Sequence, residues 1–116
     1  MSSATLYGIK NCDTVKKARK WLDANSVPYT FHDFRVDGID KTLINNFLKQ
    51  LDLESLINKR GTTWRKLSAQ EKEIKNKNQT IALIIDNPTI IKRPVLDVNK
   101  TLTLGFSEES YKSIKF

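Results

Sequence analysis

A chain of 116 residues carries one domain's worth of protein, too little for two full hydrophobic cores. Its 39% hydrophobic and 28% charged residues argue against disorder, and no apolar run approaches the roughly 20 residues that cross a bilayer. The 20 Lys and Arg against 13 Asp and Glu favour anionic ligands, while one Cys and one His rule out both an internal disulfide and a four-ligand zinc site of these residues.

The N-terminal residues lack the basic-then-apolar pattern of a signal peptide, so a soluble cytoplasmic protein is expected, with no membrane partner. Residues 5–9 form a short apolar run that suits a buried strand. Beyond Cys12, residues 13–25 place Val15, Ala18 and Leu22 at helical spacing, with Asp13 in the first turn and Pro28 past the end. Residues 29–34 are the next strand. Strand, helix and strand in about 30 residues make a βαβ unit with parallel strands. Asp40 can cap a helix whose apolar face holds Leu43, Ile44, Phe47, Leu48 and Leu51. A short helical turn around residues 54–58 follows. Residues 59–65 show no period and read as a loop. Ser68 and Glu71 fit a capping box that opens another helix. Residues 80–86 are rich in isoleucine; propensity favours a strand, and periodicity leaves strand and helix both open. Residues 95–98 and 101–104 make a hairpin about Asn99-Lys100, and Ser107 caps a last short helix with Tyr111 and Ile114 inward. The order β-α-β, helical middle, β-β-α is that of a thioredoxin-like α/β fold: a four-stranded mixed sheet with a central helical insertion. One domain spans residues 1–116, with its core at about 4–36 and 88–116 and the insertion at about 40–87.

Cys12 stands between a strand and a helix. Unpaired backbone N–H groups and the helix dipole favour a thiolate there, and Lys10 and Lys16 add to the effect. The plain alternative is a small buried hydrophobe, and placement alone leaves the two evenly balanced. The motif is Cys12-Asp13-Thr14-Val15, with no second Cys, so a mixed disulfide at Cys12 must be resolved by an external thiol. Arg60 and Arg93 are candidate oxyanion or carboxylate ligands because guanidinium binds such groups bidentately; a structural salt bridge is the competing reading. His32, inside a strand, reads as structural, and Trp21 and Trp64 as packing residues. Asp33, Asp37 and Asp40 have no metal-ligand spacing, and no metal is expected. No helix-turn-helix, zinc-finger or aromatic-basic signature is present, so nucleic acid is not the expected partner.

The stretch Lys10-Asn11-Cys12-Asp13-Thr14-Val15-Lys16-Lys17-Ala18-Arg19, preceded by Tyr7-Gly8-Ile9, resembles the arsenate-reductase-like family that includes ArsC and Spx, closest to its YffB-type branch. Residues 31–38, 60–67, 91–94 and 105–107 are similar to that branch too. The resemblance implies a thioredoxin-like core with a helical insertion, a cis bond at Pro94 beside Cys12, and helix rather than strand at residues 80–86. It aligns Cys12, Arg60 and Arg93 with the cysteine and two arginines of the arsenate reductases. Gly8 stands where those enzymes have a histidine, Gly105-Phe106 replaces a third arginine, and Val15 stands at the second Cys of the Spx switch.

The leading expectation is a glutathione-dependent thiol reductase. Cys12 is its nucleophile, and Arg60, Arg93, Pro94, Lys10 and Asn11 hold substrate or glutathione. No cofactor is expected to stay bound; glutathione is a co-substrate, glutaredoxin a second candidate partner, and the chain a monomer. The alternative is a non-catalytic Spx-like regulator that binds the RNA polymerase α-subunit. Arsenate reduction comes third, since two oxyanion-site groups are missing.

Overall fold

The computed structural model describes residues 4–73, 77–114 and 116. Among them, contacts divide the chain into two compact units, residues 4–38 with 93–114 and 116, and residues 39–73 with 77–92.

The first unit is built on the βαβ element. Strand β1 (Ala4–Gly8) alternates buried and half-buried side chains, helix α1 runs Asp13–Ala24, and β2 is Thr30–Asp33. The two strands are parallel, with Leu6 opposite Phe31 and Gly8 opposite Asp33. The last quarter of the chain supplies β3 (Val95–Val98) and β4 (Thr101–Leu104), each antiparallel to its neighbour, in the sheet order β2-β1-β3-β4. The hairpin turns on Asn99 and Lys100, both at positive φ (51° and 72°). That double left-handed geometry matches the twist of the flanking strands. Ala4, Leu6, Leu96 and Val98 share one sheet face and bury it with Val15, Ala18 and Leu22 of α1 and Tyr111. Tyr111 lies on a short C-terminal helix, Glu108–Lys112, which Ser107 opens by accepting the Ser110 N–H on its hydroxyl.

The second unit is helical: α2 (Lys41–Leu48), α3 (Leu53–Leu56), α4 (Thr62–Lys66), α5 (Ala69–Lys72) and α6 (Lys77–Asp86), then a 3₁₀ turn at Pro88–Ile90. The C-terminal helix is therefore α7. Asp40 caps α2 by accepting the Leu43 N–H at 2.9 Å. Helix α6 packs against α2 and the 3₁₀ turn. The residues 80–86 are helix because Thr80, Ile81 and Ile84 fall on one buried side at 3.6-residue spacing. Residues 59–65 are not wholly loop, as their lack of period suggested: α4 begins at Thr62. One apolar side chain in a single turn cannot display a period, and Trp64, 8% exposed, is the whole inward face of this helix. The Arg65 N–H donates to Gly61 O, and the Thr63 and Thr89 hydroxyls meet at 2.6 Å. The reciprocal contact expected between Ser68 and Glu71 lies outside the described residues, since the Glu71 side chain is not described.

Candidate functional site

The site is laid out by strand register. Tyr7 pairs with Val95 and Val95 with Leu104, so the chain leaving β1, the chain entering β3 and the chain leaving β4 emerge at one end of the sheet. This end holds Lys10, Asn11 and Cys12, then Arg93 and Pro94, then Gly105 and Phe106. The Gly105 N–H donates to Pro94 O at 2.8 Å, which ties two of these segments together. The Arg93-Pro94 peptide bond is cis.

Cys12 is the N-cap residue of α1, with extended backbone at φ −134°, ψ 122°. Its carbonyl accepts the first intrahelical bond, from the Lys16 N–H at 2.9 Å. The N–H groups of Asp13, Thr14 and Val15 precede any such bond and point out of the helix end, which is the positive pole of a 12-residue helix. The thiol is half-buried and packs against the cluster that contains Leu6, Val15 and Tyr111, as Phe106 does. Cys12 is thus reached by solvent on one side and by apolar groups on the other.

Val15, three residues on, is fully buried against β1. A Cβ placed on Gly8 would lie 2.7 Å from Val15 Cγ2. The bare glycine is therefore what lets α1 seat this closely on the strand. Lys10 and Asn11 are exposed, Pro94 is buried, and Arg93 is half-buried with its Nε inside. Arg60 is exposed and belongs to the helical unit, where its N–H donates to Asn58 Oδ1. Lys10, Asn11, Cys12, Arg93 and Pro94 share the other unit. Lys16, Lys17 and Lys20 are all exposed on α1. Trp21 on that helix meets Tyr111 edge-on at 5.4 Å, and Phe106 meets Tyr111 at 4.8 Å.

His32 bonds Gly38 O through Nε2 at 2.8 Å and stacks near Tyr7 and Phe34, all on or beyond the two parallel strands. Asp33, weighed in the sequence only as a metal ligand, has a structural role that its spacing did not show. It is 7% exposed, and its carboxylate accepts the Lys10 N–H at 3.3 Å and the Arg35 N–H at 2.8 Å. The available signal was an acidic side chain at the C-terminal end of a strand candidate, though it is the one buried residue of β2. Burial raises the Tyr111 phenol well above its ordinary range, and burial together with the Asp97 charge raises Tyr7. Among the described residues no group of His, Cys, Asp and Glu is placed to hold a metal, and no helix is long and apolar enough to cross a membrane.

A four-stranded mixed sheet whose first strand leads through Cys12 into α1 is the thioredoxin-like fold of ArsC proteins. The sequence pattern of the ArsC family matches residues 7–114, and the chain belongs to that family. Its fold superposes on the YffB protein with a TM-score of 0.89 at 39% identity, covering 95% of this chain and 96% of that one. An arsenate reductase (ArsC) related protein from Brucella melitensis is 41% identical with a TM-score of 0.77, over 96% and 92% of the two chains. The global transcriptional regulator Spx 2 of Lactococcus lactis subsp. lactis is 30% identical over 94% of this chain and 83% of its own length. The family thus joins relatives of the arsenate reductases to transcriptional regulators.

Proposed function

We propose that the protein is a glutathione-dependent thiol reductase with Cys12 as its only nucleophile. The observation that carries the reading is the half-exposed sulfur at the N-cap of α1, in a chain that holds no second thiol. A helix N-terminus favours negative charge on that sulfur, and the thiolate is the form that attacks. Cys12 attacks the glutathione sulfur of a mixed disulfide, the substrate leaves as its thiolate, and Cys12 carries glutathione. A second glutathione thiolate then attacks that sulfur, releases glutathione disulfide and returns Cys12 as thiolate. Each turn thus consumes one mixed disulfide and one glutathione thiol and yields the substrate thiol and glutathione disulfide.

Arg93, in the same unit as Cys12, supplies a guanidinium group for a glutathione carboxylate, and Lys10 and Asn11 directly precede the cysteine in the chain; Arg60, which lies in the helical unit, is a second candidate carboxylate ligand to be tested by substitution. Glutaredoxin would be needed only if a second protein must take glutathione from Cys12. Incubation with glutathione disulfide, read by intact mass, tests the proposal. One glutathione per chain is expected, lost in Cys12→Ser and removed by excess glutathione. A Cys12→Ser protein that still takes up glutathione disproves it.

The identity to the Lactococcus regulator supports a second reading, binding to the RNA polymerase α-subunit without catalysis. It expects capture of that subunit by Cys12→Ser as efficiently as by wild type. Absence of the α-subunit from the captured material at moderate salt removes this reading. Arsenate turnover in a coupled glutathione and glutaredoxin assay would establish the third, and no turnover excludes it.

A further inference from the structure

We infer that Asp33 is a positioning residue for Cys12, acting through the amide of Lys10; the catalytic part of this inference rests on the reading of Cys12 given above. The carboxylate is nearly buried, at 7% exposure, and sits at the end of β2 opposite Gly8. A charge in that setting is costly unless hydrogen bonds satisfy it. Both of its oxygens are used, and they are used on two different segments. Oδ2 accepts the Lys10 N–H, two residues before the nucleophile, and Oδ1 accepts the Arg35 N–H. Asp33 is itself held by three further bonds. Its N–H donates to Asp37 Oδ2 at 2.9 Å, and its carbonyl accepts the N–H groups of Val36 and Asp37 at 3.1 and 2.7 Å.

The two loops at the reactive end of the sheet are therefore joined by one side chain. A backbone bond from the Phe34 N–H to Gly8 O at 2.8 Å also crosses between these segments, nearer the strands. Between Lys10 and the first helical residue the chain has only Asn11 and Cys12, and Cys12 must reach the helix in extended conformation. Fixing the Lys10 amide leaves little freedom in where the sulfur sits. Small displacements of a reacting atom are expensive in rate, so the clamp has kinetic as well as structural value.

The test separates these roles. In Asp33→Asn the side chain can still accept from Arg35, but its amide presents hydrogens toward the Lys10 N–H, so the bond to Lys10 is lost while the turn persists. Exchange of the Lys10 amide, followed by NMR, should accelerate about tenfold, with the Phe34 amide unchanged. The rate at which glutathione disulfide modifies Cys12 should fall by about tenfold at a temperature well below unfolding. Asp37→Ala, which loosens the same turn without touching Lys10, should leave the Cys12 rate within about twofold of wild type. A Lys10 amide that exchanges at the free-peptide rate in the wild-type protein overturns the inference without any variant. So does faster Lys10 exchange with no change in Cys12 rate, which would make Asp33 structural only. Should wild-type Cys12 accept no glutathione, the reductase reading fails, and iodoacetamide alkylation in the same variants decides the positioning role by the same comparison.

Discussion

A methyl group at position 8 would meet Val15 Cγ2 at 2.7 Å, closer than side-chain carbons pack. Valine on a helix has one preferred rotamer, so it cannot turn aside cheaply. Gly8→Ala should destabilise the protein by about 1–3 kcal/mol in urea unfolding, and the cost should nearly vanish in a Val15→Ala background. An undiminished cost in the double variant would place the strain elsewhere. The two positions are where the resemblance locates a histidine of the arsenate reductases and the second Cys of Spx, and here one close contact uses both. Tyr111 offers a second test at this scale. Its ring is fully buried, and its hydroxyl has no hydrogen-bond partner among the described residues. Tyr111→Phe should therefore be neutral or stabilise by about 1 kcal/mol at pH 7. Burial raises the folded phenol above its unfolded value, so the unfolded chain loses its proton first as pH climbs. Stability tied to this group is complete below about pH 10 and falls above it by up to about 1.4 kcal/mol per pH unit. The urea midpoint of Tyr111→Phe should thus gain on wild type as pH passes 10, and parallel curves would show that the phenol is not protected.

At the scale of elements, the hairpin gives the cleanest prediction. Lys100 stands at φ 72°, a region that costs a side chain but not glycine. Lys100→Gly should stabilise the fold by about 1 kcal/mol, read as a higher urea midpoint with an unchanged slope. The hairpin itself was legible, because two apolar runs flank a two-residue turn, although Asn-Lys is a weaker turn signal than Asn-Gly. The βαβ unit was legible because a short apolar run marks β1 and Val15, Ala18 and Leu22 make a helical stripe in α1. Helix α6 was not, since isoleucines favour strands locally and only the tertiary burial of Ile81 and Ile84 selects helix; resemblance, not propensity, pointed the right way. Helix α4 was missed because it is five residues long and anchored by one tryptophan. At the site, the placement of Cys12 could be read from strand and helix signals. The joining of Lys10 to Asp33 could not, because it spans 23 residues and depends on which strands lie side by side.

For the molecule as a whole, the relevant quantity is its charge. The chain carries a net +7, and Lys16, Lys17 and Lys20 stand exposed on the helix that begins at Cys12, with Lys10 exposed just before it. A field of that sign concentrates anions near the sulfur and speeds their encounter. Glutathione disulfide is an anion at neutral pH, whereas hydroxyethyl disulfide has no charge. If the lysine-rich surface steers substrate, attack by Cys12 on glutathione disulfide should slow several-fold as ionic strength rises from about 0.01 M to 0.5 M, because the screening length shrinks from about 30 Å to a few ångströms. Attack on hydroxyethyl disulfide should stay nearly constant over the same range. Stopped-flow measurement of both rates cancels any effect of salt on the thiolate itself, which is common to the two reactions. Replacing Lys16, Lys17 and Lys20 by Gln should flatten the salt dependence for the anionic disulfide and leave the neutral one unchanged. Equal salt dependence for both substrates would mean that the surplus of lysine serves solubility and takes no part in substrate capture.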